Sequence, residues 1–560
     1  MKRVILFFFI NFIILTTFAQ NNNLERVEPP FWWSGMKDNT VQLLVYGENI
    51  SEYLVNINSD KVDLLKVNKA DSPNYLFLDL SINDNSTFEF DIIFKKKGEK
   101  KIKYKYNIYQ KSATPKGYSS KDLIYLLMPD RFANGDVKND SQPEMLEKVN
   151  RKNKDGRHGG DIQGVIDNID YFKDLGITTL WLNPVLENNM PDYSYHGYAI
   201  TDFYKVDARF GTNELYKQML DEAHKNDLKI IQDVVYNHCG SYHWWVKDLP
   251  FDNWFNYDKN FRTSYRGSVV ADPYSSDFDK KQFSSGWFVE SMPDMNQKNP
   301  FLAKYLIQNT IWWVEYLNLD GLRIDTYSYP DKDFSSALTQ RLNNEYPKLT
   351  LLGETWLQNV PLVAYFQGDS PISDDYNSHL NSVTDFPLFY ATKQAFNETE
   401  GWTSGLLQIY YVLAQDFLYS KPEDLVIFLD NHDLDRYFTS VGEDMRKFKM
   451  GIAFLLTSRG IPVIYYGTEI AMDGIEHKGH GFIRNDFPGG WRNDTINIFS
   501  QTNMSEIQQD AFTFVSKLAN WRKTNKAATD GKLLHFLPHD NVYVYFRYTD
   551  DEAVMVLLNN

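Results

Sequence analysis

The feature that most constrains the fold is a repeat in which short apolar segments alternate with helical ones, from about residue 120 onward. The stretches 213–226 and 444–458 have the apolar spacing of helices that lie on a sheet. Repeated βα units predict a parallel sheet, and about eight of them over roughly 400 residues favour a closed barrel. We therefore predict an α/β fold built on a (β/α)8 TIM barrel. The strand-like segments are LIYLLMP (123–129), ITTLWLNPV (177–185), KIIQDVVYNH (229–238), GLRIDT (321–326), LTLLGETW (349–356), LVIFLDNHD (425–433) and IPVIYYGTE (461–469).

Other patterns flank and interrupt this repeat. Residues 25–112 alternate apolar and polar side chains in short runs broken by Asn, Asp, Ser and Gly, which predicts a β-sandwich. The segment after the third strand is rich in Trp, Tyr, Asp and Ser and predicts an irregular insertion. The last residues predict a β-hairpin that begins an antiparallel β-domain, and we expect that domain to be truncated here. The predicted divisions are a signal peptide (1–19), an N-terminal β-sandwich (20–115), the barrel (116–526) with an inserted domain (239–296), and the start of a C-terminal β-domain (527–560).

The N-terminus and the charge predict the protein's compartment and exclude some partners. Lys2 and Arg3 precede an apolar run that ends at Ala19, which is typical of a cleaved secretory signal. We therefore expect a soluble protein that is periplasmic or secreted. A formal net charge of −16 makes nucleic acid an unfavourable partner. Cys239 is the only cysteine, so an internal disulfide is impossible.

Charged and polar residues recur at the carboxyl ends of the predicted strands. In (β/α) barrels that end carries the active site, and four such groups are hard to explain as structural ion pairs because each would carry a cost of burial. The pattern therefore predicts a catalytic centre. Its candidate residues are Asp233, Asn237, His238, Arg323, Asp325, Glu354, Asp430, His432 and Asp433.

Carboxylates dominate this set, and no nucleophilic Ser or Cys arrangement accompanies them. Retaining glycosidases use one ionised carboxylate as nucleophile and one protonated carboxyl as acid and base. We expect Arg323 to hold Asp325 ionised, and burial with nearby carboxylates to raise the pKa of Glu354. Asp433 would bind sugar hydroxyls more strongly as the sugar ring distorts. His238 and His432 would donate to the same hydroxyls.

The motifs DVVYNH, GLRIDT, GETW and FLDNHD, in this order, resemble those of the α-amylase family of retaining glycoside hydrolases. YHGYAITDFYKVDARFGT, MPDMN and GIPVIYYGTE support the resemblance, which covers about residues 118–525. It implies that Asp325 is the nucleophile, Glu354 the acid and base, and Asp433 the stabiliser of the transition state. It also implies substrate binding by His196, Tyr198, His238, Arg323 and His432.

RVEPPFWWSGM near the N-terminus is similar to the neopullulanase and cyclomaltodextrinase group of that family. This resemblance implies that Trp356 stacks on the reducing side of the cleavage point and that the protein forms a homodimer. Ser328 and Tyr329 depart from the group, because related enzymes place Lys-His or Asn-Glu there. We expect an exported hydrolase of α-1,4 bonds in starch, pullulan, maltooligosaccharides or cyclodextrins, and mixed α-1,4 and α-1,6 activity is left open. A transglycosylase, an α-1,6-glucosidase and a non-catalytic glucan-binding protein are the alternatives.

The loop ANGDVKND, residues 133–140, groups oxygen-bearing side chains that suit Ca²⁺. Ordinary turn chemistry explains such a cluster equally well. The resemblance favours Ca²⁺, because the group binds it with this spacing together with a later Gly and Asp. The implied ligands are Asn134, Asp136, Asn139, Asp140, Gly159 and Asp161.

Two pairs of tryptophans are ambiguous in the sequence. Trp32 and Trp33 either bind starch or pack the sandwich and its interface, and packing is favoured. Trp244 and Trp245 in the insertion either line the cleft or form a local core.

Overall fold

The structure is a computed structural model that describes residues 24–372 and 374–560. The predicted signal peptide, residues 1–19, lies outside the described residues. No helix in these two ranges is long and apolar enough to cross a membrane.

The N-terminal unit is a β-sandwich, as predicted. Its strands are β1 (Arg26–Glu28), β2 (Trp32–Ser34), β3 (Thr40–Tyr46), β4 (Leu54–Asn58), β5 (Val62–Lys69), β6 (Tyr75–Ile82), β7 (Phe88–Lys95) and β8 (Ile102–Gln110). They form two sheets with the orders β1-β3-β6-β5 and β2-β8-β7-β4. In β7, Phe90, Ile92 and Phe94 are buried and alternate with more exposed residues, because successive side chains of a strand point to opposite faces.

Eight parallel strands form the predicted barrel. They are β9 (Ile124–Leu127), β10 (Thr179–Leu182), β13 (Lys229–Val234), β14 (Gly321–Ile324), β15 (Thr350–Gly353), β16 (Ser382–Val383), β17 (Val426–Phe428) and β18 (Ile461–Tyr465); the short strands β11 (Leu186–Glu187) and β12 (Asp202–Val206) form a separate antiparallel pair. The sheet order is β16-β15-β14-β13-β10-β9-β18-β17, and a parallel bridge between Thr384 and Val426 closes it. All the residues of these eight strands are buried except Lys229 and Thr350, which start β13 and β15, as expected for a sheet with helices outside and a packed interior.

Helices cover the outside of the barrel. The predicted stretches 213–226 and 444–458 correspond to α4 and α12. The helices are α1 (Pro129–Phe132), α2 (Ile162–Asp167), α3 (Ile169–Leu175), α4 (Asn213–Lys225), α5 (Asp277–Ser285), α6 (Pro300–Leu317), α7 (Lys332–Glu345), α8 (Val360–Ala364), α9 (Phe386–Ala395), α10 (Leu407–Leu413), α11 (Tyr437–Ser440), α12 (Met445–Thr457), α13 (Glu506–Thr524) and α14 (Lys526–Asp530).

The sandwich packs against α6 through hydrogen bonds and aromatic rings. The Gln308 side chain accepts from the backbone N–H of Gln42 at 2.8 Å and donates to its carbonyl at 2.7 Å. Trp32 and Trp33 are buried, and Trp33 lies 6.3 Å from Trp312 of α6. These two tryptophans therefore pack the sandwich and its interface, as the sequence favoured.

The segment between β13 and α6 contains α5 and several short turns. Trp245 is fully buried, and Trp244 stacks on Tyr75 of the sandwich at 6.0 Å with the Arg26 guanidinium 4.7 Å from its ring centre. Both tryptophans of this insertion therefore belong to the core and the seam with the sandwich.

The C-terminal strands β19 (Lys532–His535), β20 (Val542–Tyr548) and β21 (Ala553–Asn559) form an antiparallel sheet, where the sequence had predicted a hairpin. This sheet is anchored to the barrel. Arg547 of β20 donates to the carbonyl of Thr457 at 3.2 Å, and the Tyr545 hydroxyl bonds the Thr457 side chain.

Candidate active site

Arg323 and Asp325 lie where the barrel interior opens into the cleft. Arg323 is in β14, a strand without an exposed residue, so its guanidinium needs carboxylate partners inside the barrel. Its Nη1 donates to Asp325 Oδ1 and to Asp233 Oδ1, each at 2.8 Å. Its Nη2 lies 2.7 Å from Glu354 Oε2. The strand ends in charged residues because one cation organises three carboxylates from three neighbouring strands.

Burial raises the pKa of all three carboxyls, and neighbouring carboxylate charges add to this effect because one guanidinium serves three acids. Burial and the charge of Asp325 raise the pKa of Asp233 to about 7 against the pull of Arg323. Burial likewise raises the pKa of Asp325, which Arg323 opposes. The pKa of Glu354 is raised by burial and by the charges of Asp325 and Asp433. The raised pKa of Glu354 agrees with the expectation for an acid. We had expected Arg323 to lower the pKa of Asp325, but burial has the larger effect and raises it.

Thr326 links the two carboxylates that the sequence assigns to catalysis. Its backbone N–H donates to Glu354 Oε2 at 2.8 Å, and its hydroxyl donates to Asp325 Oδ2 at 3.1 Å. Its φ of 46° lies in the left-handed region, where β-branched residues are rare. This backbone conformation brings both donors to the two carboxylates at once.

Asp433 has a different electrostatic environment from the other carboxylates. It follows β17 and lies 3.1 Å from His432 Nε2, and Arg484 Nη2 donates to its Oδ1 at 2.8 Å. Burial opposes its ionisation, but His432, Arg484 and His480 outweigh burial and hold the pKa of Asp433 far below its usual range. Asp433 is therefore an ionised acceptor opposite the Arg323 cluster.

Tyr198 connects the two charged groups. Its ring stacks on His432 with centres 5.4 Å apart, and its hydroxyl donates to Asp233 Oδ2 at 3.0 Å and lies 2.8 Å from His432 Nε2. His196 Nδ1 accepts the Tyr198 backbone N–H at 2.9 Å, and burial lowers the pKa of His196 to about 3. His196 is therefore neutral with its other ring nitrogen protonated.

His238 follows β13 and forms an isolated bridge to Asp294. Its ring lies 5.3 Å from Phe288, and its buried Nε2 has no hydrogen-bond partner among the described residues. Burial lowers the pKa of His238 to about 4, so this ring is neutral as well. An unpartnered buried nitrogen beside the cleft is available to a sugar hydroxyl.

Two hollows meet at Asp433, His480 and Phe288, and each has a volume of about 760 Å³. The first, which we call the acceptor hollow, is lined by Asp325, Glu354 and Trp356 among others. The second, which we call the donor hollow, contains His196, Tyr198 and Arg484. Trp356 is 41% exposed, and it stacks on Phe386 at 4.9 Å with an interplanar angle of 10°. One indole face is thus supported by protein, which suits stacking of a sugar ring on the other.

The structure brings together the nine residues to which the family resemblance gives a role in catalysis or substrate binding. Six of them line the two hollows, and Arg323, His238 and His432 contact residues that do. It adds Arg484, His480 and Phe288, to which the sequence analysis gave no role. Arg484 opens the stretch RNDFPGGW, residues 484–491. His480 and Phe288 lie in irregular segments where neither periodicity nor a motif marks a site.

The residues of the predicted calcium loop lie together. The buried side-chain oxygens of Asn134 and Asn139 have no hydrogen-bond partner among the described residues. A Cβ atom on Gly159 would lie 2.8 Å from Asp140 Oδ1, so the backbone approaches that carboxylate closely. Burial raises the pKa of Asp140 to about 6. Two orphaned amide oxygens beside a half-buried carboxyl fit a hard cation.

Asp161 and Asp136 take part in hydrogen bonds that hold the backbone of this loop. Asp161 Oδ1 caps α2 by accepting from the backbone N–H of Gly164 at 2.7 Å, and its Oδ2 accepts from the backbone N–H of Asp136 at 2.9 Å. In the described ranges no group of three or more His, Cys, Asp or Glu side chains is placed to hold a metal ion. A cation here would depend on amide and carbonyl oxygens as well as on Asp140.

The model of the α-amylase catalytic domain matches residues 126–510. The chain belongs to the α-amylase family. It is accordingly a glycoside hydrolase, and the match runs from the middle of β9 past β18 and includes every residue that lines the two hollows. The cyclomaltodextrinase N-terminal domain matches residues 26–112 and the cyclomaltodextrinase C-terminal domain matches residues 533–560. The predicted resemblance to the cyclomaltodextrinase and neopullulanase group is therefore confirmed.

Individual relatives agree with this assignment. The chain is 30% identical to a β/α-amylase of Paenibacillus polymyxa over 79% of its length, but it spans only 34% of that protein. It is 27% identical to neopullulanase 2 of Thermoactinomyces vulgaris, with 79% of this chain and 70% of the relative covered. The solved structure of the α-amylase of Geobacillus thermoleovorans with acarbose superposes with a TM-score of 0.64 at 30% sequence identity. The superposition covers 78% of this chain and 86% of the amylase chain.

Proposed function

We propose that this protein hydrolyses α-glucosidic bonds in α-glucans with retention of anomeric configuration. One observation carries the proposal: Asp325 and Glu354 bind adjacent nitrogens of the same Arg323 guanidinium. Two carboxyls held side by side suit the separation of about 5 Å in retaining enzymes, rather than the roughly 6.5–9.5 Å that inverting enzymes keep for a water.

In the proposed first step, Asp325 attacks the anomeric carbon while Glu354 gives its proton to the leaving oxygen. The raised pKa of Glu354 favours the protonated form that this step requires. In the second step, Glu354 takes a proton from water, the C1–oxygen bond to water forms, and the ester to Asp325 breaks. Asp433, held ionised, and the neutral His238 would bind the hydroxyls of the distorted ring.

We propose α-1,4 bonds of starch, maltooligosaccharides and cyclodextrins as substrates, together with the bonds of pullulan. The names of the relatives and the cyclomaltodextrinase domain matches support this range. The test is the product profile of the full chain on starch, pullulan and β-cyclodextrin. Panose from pullulan, or rapid ring opening of the cyclodextrin, is expected, whereas activity on starch alone would contradict this specificity.

The same experiment separates catalysis from binding. Asp325→Asn should abolish turnover and leave glucan binding intact, because the amide keeps the shape of the side chain but cannot form the glycosyl ester. Binding without turnover in the wild-type protein would favour the non-catalytic alternative. An intact rate in Asp325→Asn would remove the assignment of the nucleophile.

We further propose that Ca²⁺ binds the loop of Asn134, Asn139, Asp140 and Gly159, with Asp136 and Asp161 shaping the loop. A bound ion would cross-link this loop to the start of α2 and stabilise the folded state. Added CaCl₂ should raise the melting temperature after EDTA treatment, and Asp140→Ala should abolish that shift. Asp170→Ala, in which an exposed aspartate of α3 is replaced, is the matched control. An equal shift in both variants would place the ion elsewhere.

Export and homodimerisation are also proposals, based on the N-terminal sequence and on the family resemblance. Fractionation of cells that express the full chain should recover a protein without residues 1–19. Light scattering after size-exclusion chromatography should give twice the mass of one chain. Retention of the N-terminus or a monomeric mass would contradict the respective proposal.

A further inference from the structure

A pocket outside the cleft lies where the sandwich meets the barrel, and we call it the seam pocket. Its volume is about 310 Å³, at the lower end of the range of roughly 300–1,000 Å³ for small-molecule sites. α6 and α7 each supply one wall, through side chains three and four residues apart, which lie on one face of a helix. The third wall belongs to the sandwich, from β2 to the start of β3. Among the described residues, the seam pocket shares none with the acceptor or donor hollow.

The lining of the seam pocket is apolar where it is buried and polar where it is exposed. Trp32 and Ile311 are each 1% exposed, and the indole N–H of Trp32 has no acceptor among the described residues. Gln340 and Asn344 lie at the exposed side, and their side-chain amides have no hydrogen-bond partner in the same part of the chain. An apolar floor beside amides with free donors and acceptors suits a ring that carries hydroxyls.

The charged groups of this lining are already paired, which argues against an ionic ligand. Lys304 Nζ lies 3.3 Å from Asp79 Oδ1, and Arg341 Nη1 lies 2.7 Å from Glu345 Oε2. The Asp38 carboxylate lies 3.8 Å from Arg341 Nε. An anion or a metal ion would have to compete with these pairs, whereas a neutral hydroxyl can bond to the same groups without separating them.

We infer that the seam pocket binds a short α-glucan such as maltose, at a site separate from catalysis. The choice of this sugar rests on the proposed function, which releases short glucans from longer chains. A sugar in the seam pocket contacts the sandwich, α6 and α7 together. Its binding therefore holds the sandwich against the barrel and stabilises the folded chain.

Hydrogen–deuterium exchange of the full chain, measured by mass spectrometry with and without maltose, tests the inference. Asp325→Asn is the background for every variant, because it prevents turnover. Peptides from α6 and α7 report on the seam pocket, and peptides that cover 354–358 report on the cleft. Ala337→Trp fills the seam pocket from α7. Asp333→Trp, at an exposed position one turn earlier that does not line the pocket, is the matched control.

Maltose should slow exchange in both sets of peptides in the background protein. Ala337→Trp should abolish the effect at α6 and α7 and leave the effect at the cleft, whereas Asp333→Trp should change neither. Gln340→Ala removes one amide without adding bulk. It should raise the maltose concentration for half-maximal protection of α7 about three- to tenfold, the effect of one hydrogen bond between neutral groups.

Protection of the cleft without protection of α6 and α7 would overturn the inference alone. Protection of α6 and α7 that survives Ala337→Trp would also overturn it, because the effect would then come from the cleft. If Ala337→Trp loses protection everywhere through misfolding, Gln340→Ala decides, and an unchanged half-maximal concentration overturns the inference. A background protein in which maltose protects neither region would overturn the proposed function as well.

Discussion

At the scale of the residue, Thr326 shows how local backbone geometry determines the chemistry. A β-branched residue in the left-handed region costs about 1–3 kcal/mol, and the surrounding barrel must compensate for it. What the protein gains is a pair of donors that reach Asp325 and Glu354 together. The site thereby holds the proposed nucleophile and the proposed acid in a fixed relation before substrate arrives.

This arrangement predicts a shift in pH dependence. Thr326→Ala removes a hydroxyl donor that lowers the pKa of Asp325, so that pKa should rise. The nucleophile must be ionised, so activity is lost as the pH falls through its pKa, and the acid limb of kcat/KM should move to higher pH. A hydrogen bond of about 1 kcal/mol corresponds to roughly 0.7 pH unit. Thr326→Ser, which keeps the hydroxyl, should behave like the wild type; an unmoved acid limb in Thr326→Ala would contradict this role.

At the scale of the element, β14 depends on a residue without a side chain. A Cβ atom on Gly321 would lie 2.3 Å from Tyr118 Cε1 and 3.0 Å from the carbonyl oxygen of Thr350. The first residue of β14, two positions before Arg323, therefore has to be glycine.

Gly321→Ala should lower the free energy of unfolding by about 1–3 kcal/mol, because the new methyl group forces the Tyr118 ring or the β15 backbone to move. Urea denaturation measures this loss. Gly401→Ala, where the new atom would meet the Ser404 hydroxyl, which can rotate away, is the control and should change less. Equal stability of the two variants would contradict the close approach at Gly321.

The elements also show what the sequence could predict. Seven of the eight barrel strands were identified because each is a run of apolar residues that ends in polar ones. The eighth, β16, has only Ser382 and Val383, which is too short for any periodic signal. Asp325, Glu354 and Asp433 could be found because they follow such strands, whereas His480 and Phe288 depend on loop conformations that tertiary packing determines.

At the scale of the whole molecule, Gln308 of α6 joins the barrel to the sandwich through its side-chain amide. Gln308 satisfies both backbone groups of Gln42 inside the seam. Gln308→Ala would leave a buried N–H and a buried C=O unpaired and should cost about 2–4 kcal/mol. Differential scanning calorimetry should show a lower melting temperature than for Gln340→Ala, in which an exposed glutamine near the seam is replaced. Identical transitions would mean that the seam contributes little to stability.

The central claim is that Asp325 forms a covalent glycosyl ester during turnover. The most direct measurement is inactivation of the full chain with a 5-fluoro glycosyl fluoride, followed by peptide mass spectrometry. The 5-fluoro group slows both the formation and the hydrolysis of the glycosyl ester. Fluoride leaves without a proton from the acid, so the ester still forms and then accumulates. The account predicts one added glycosyl group, located on the peptide that contains Asp325. A label on another carboxylate, or steady turnover with inversion and no label, would contradict it.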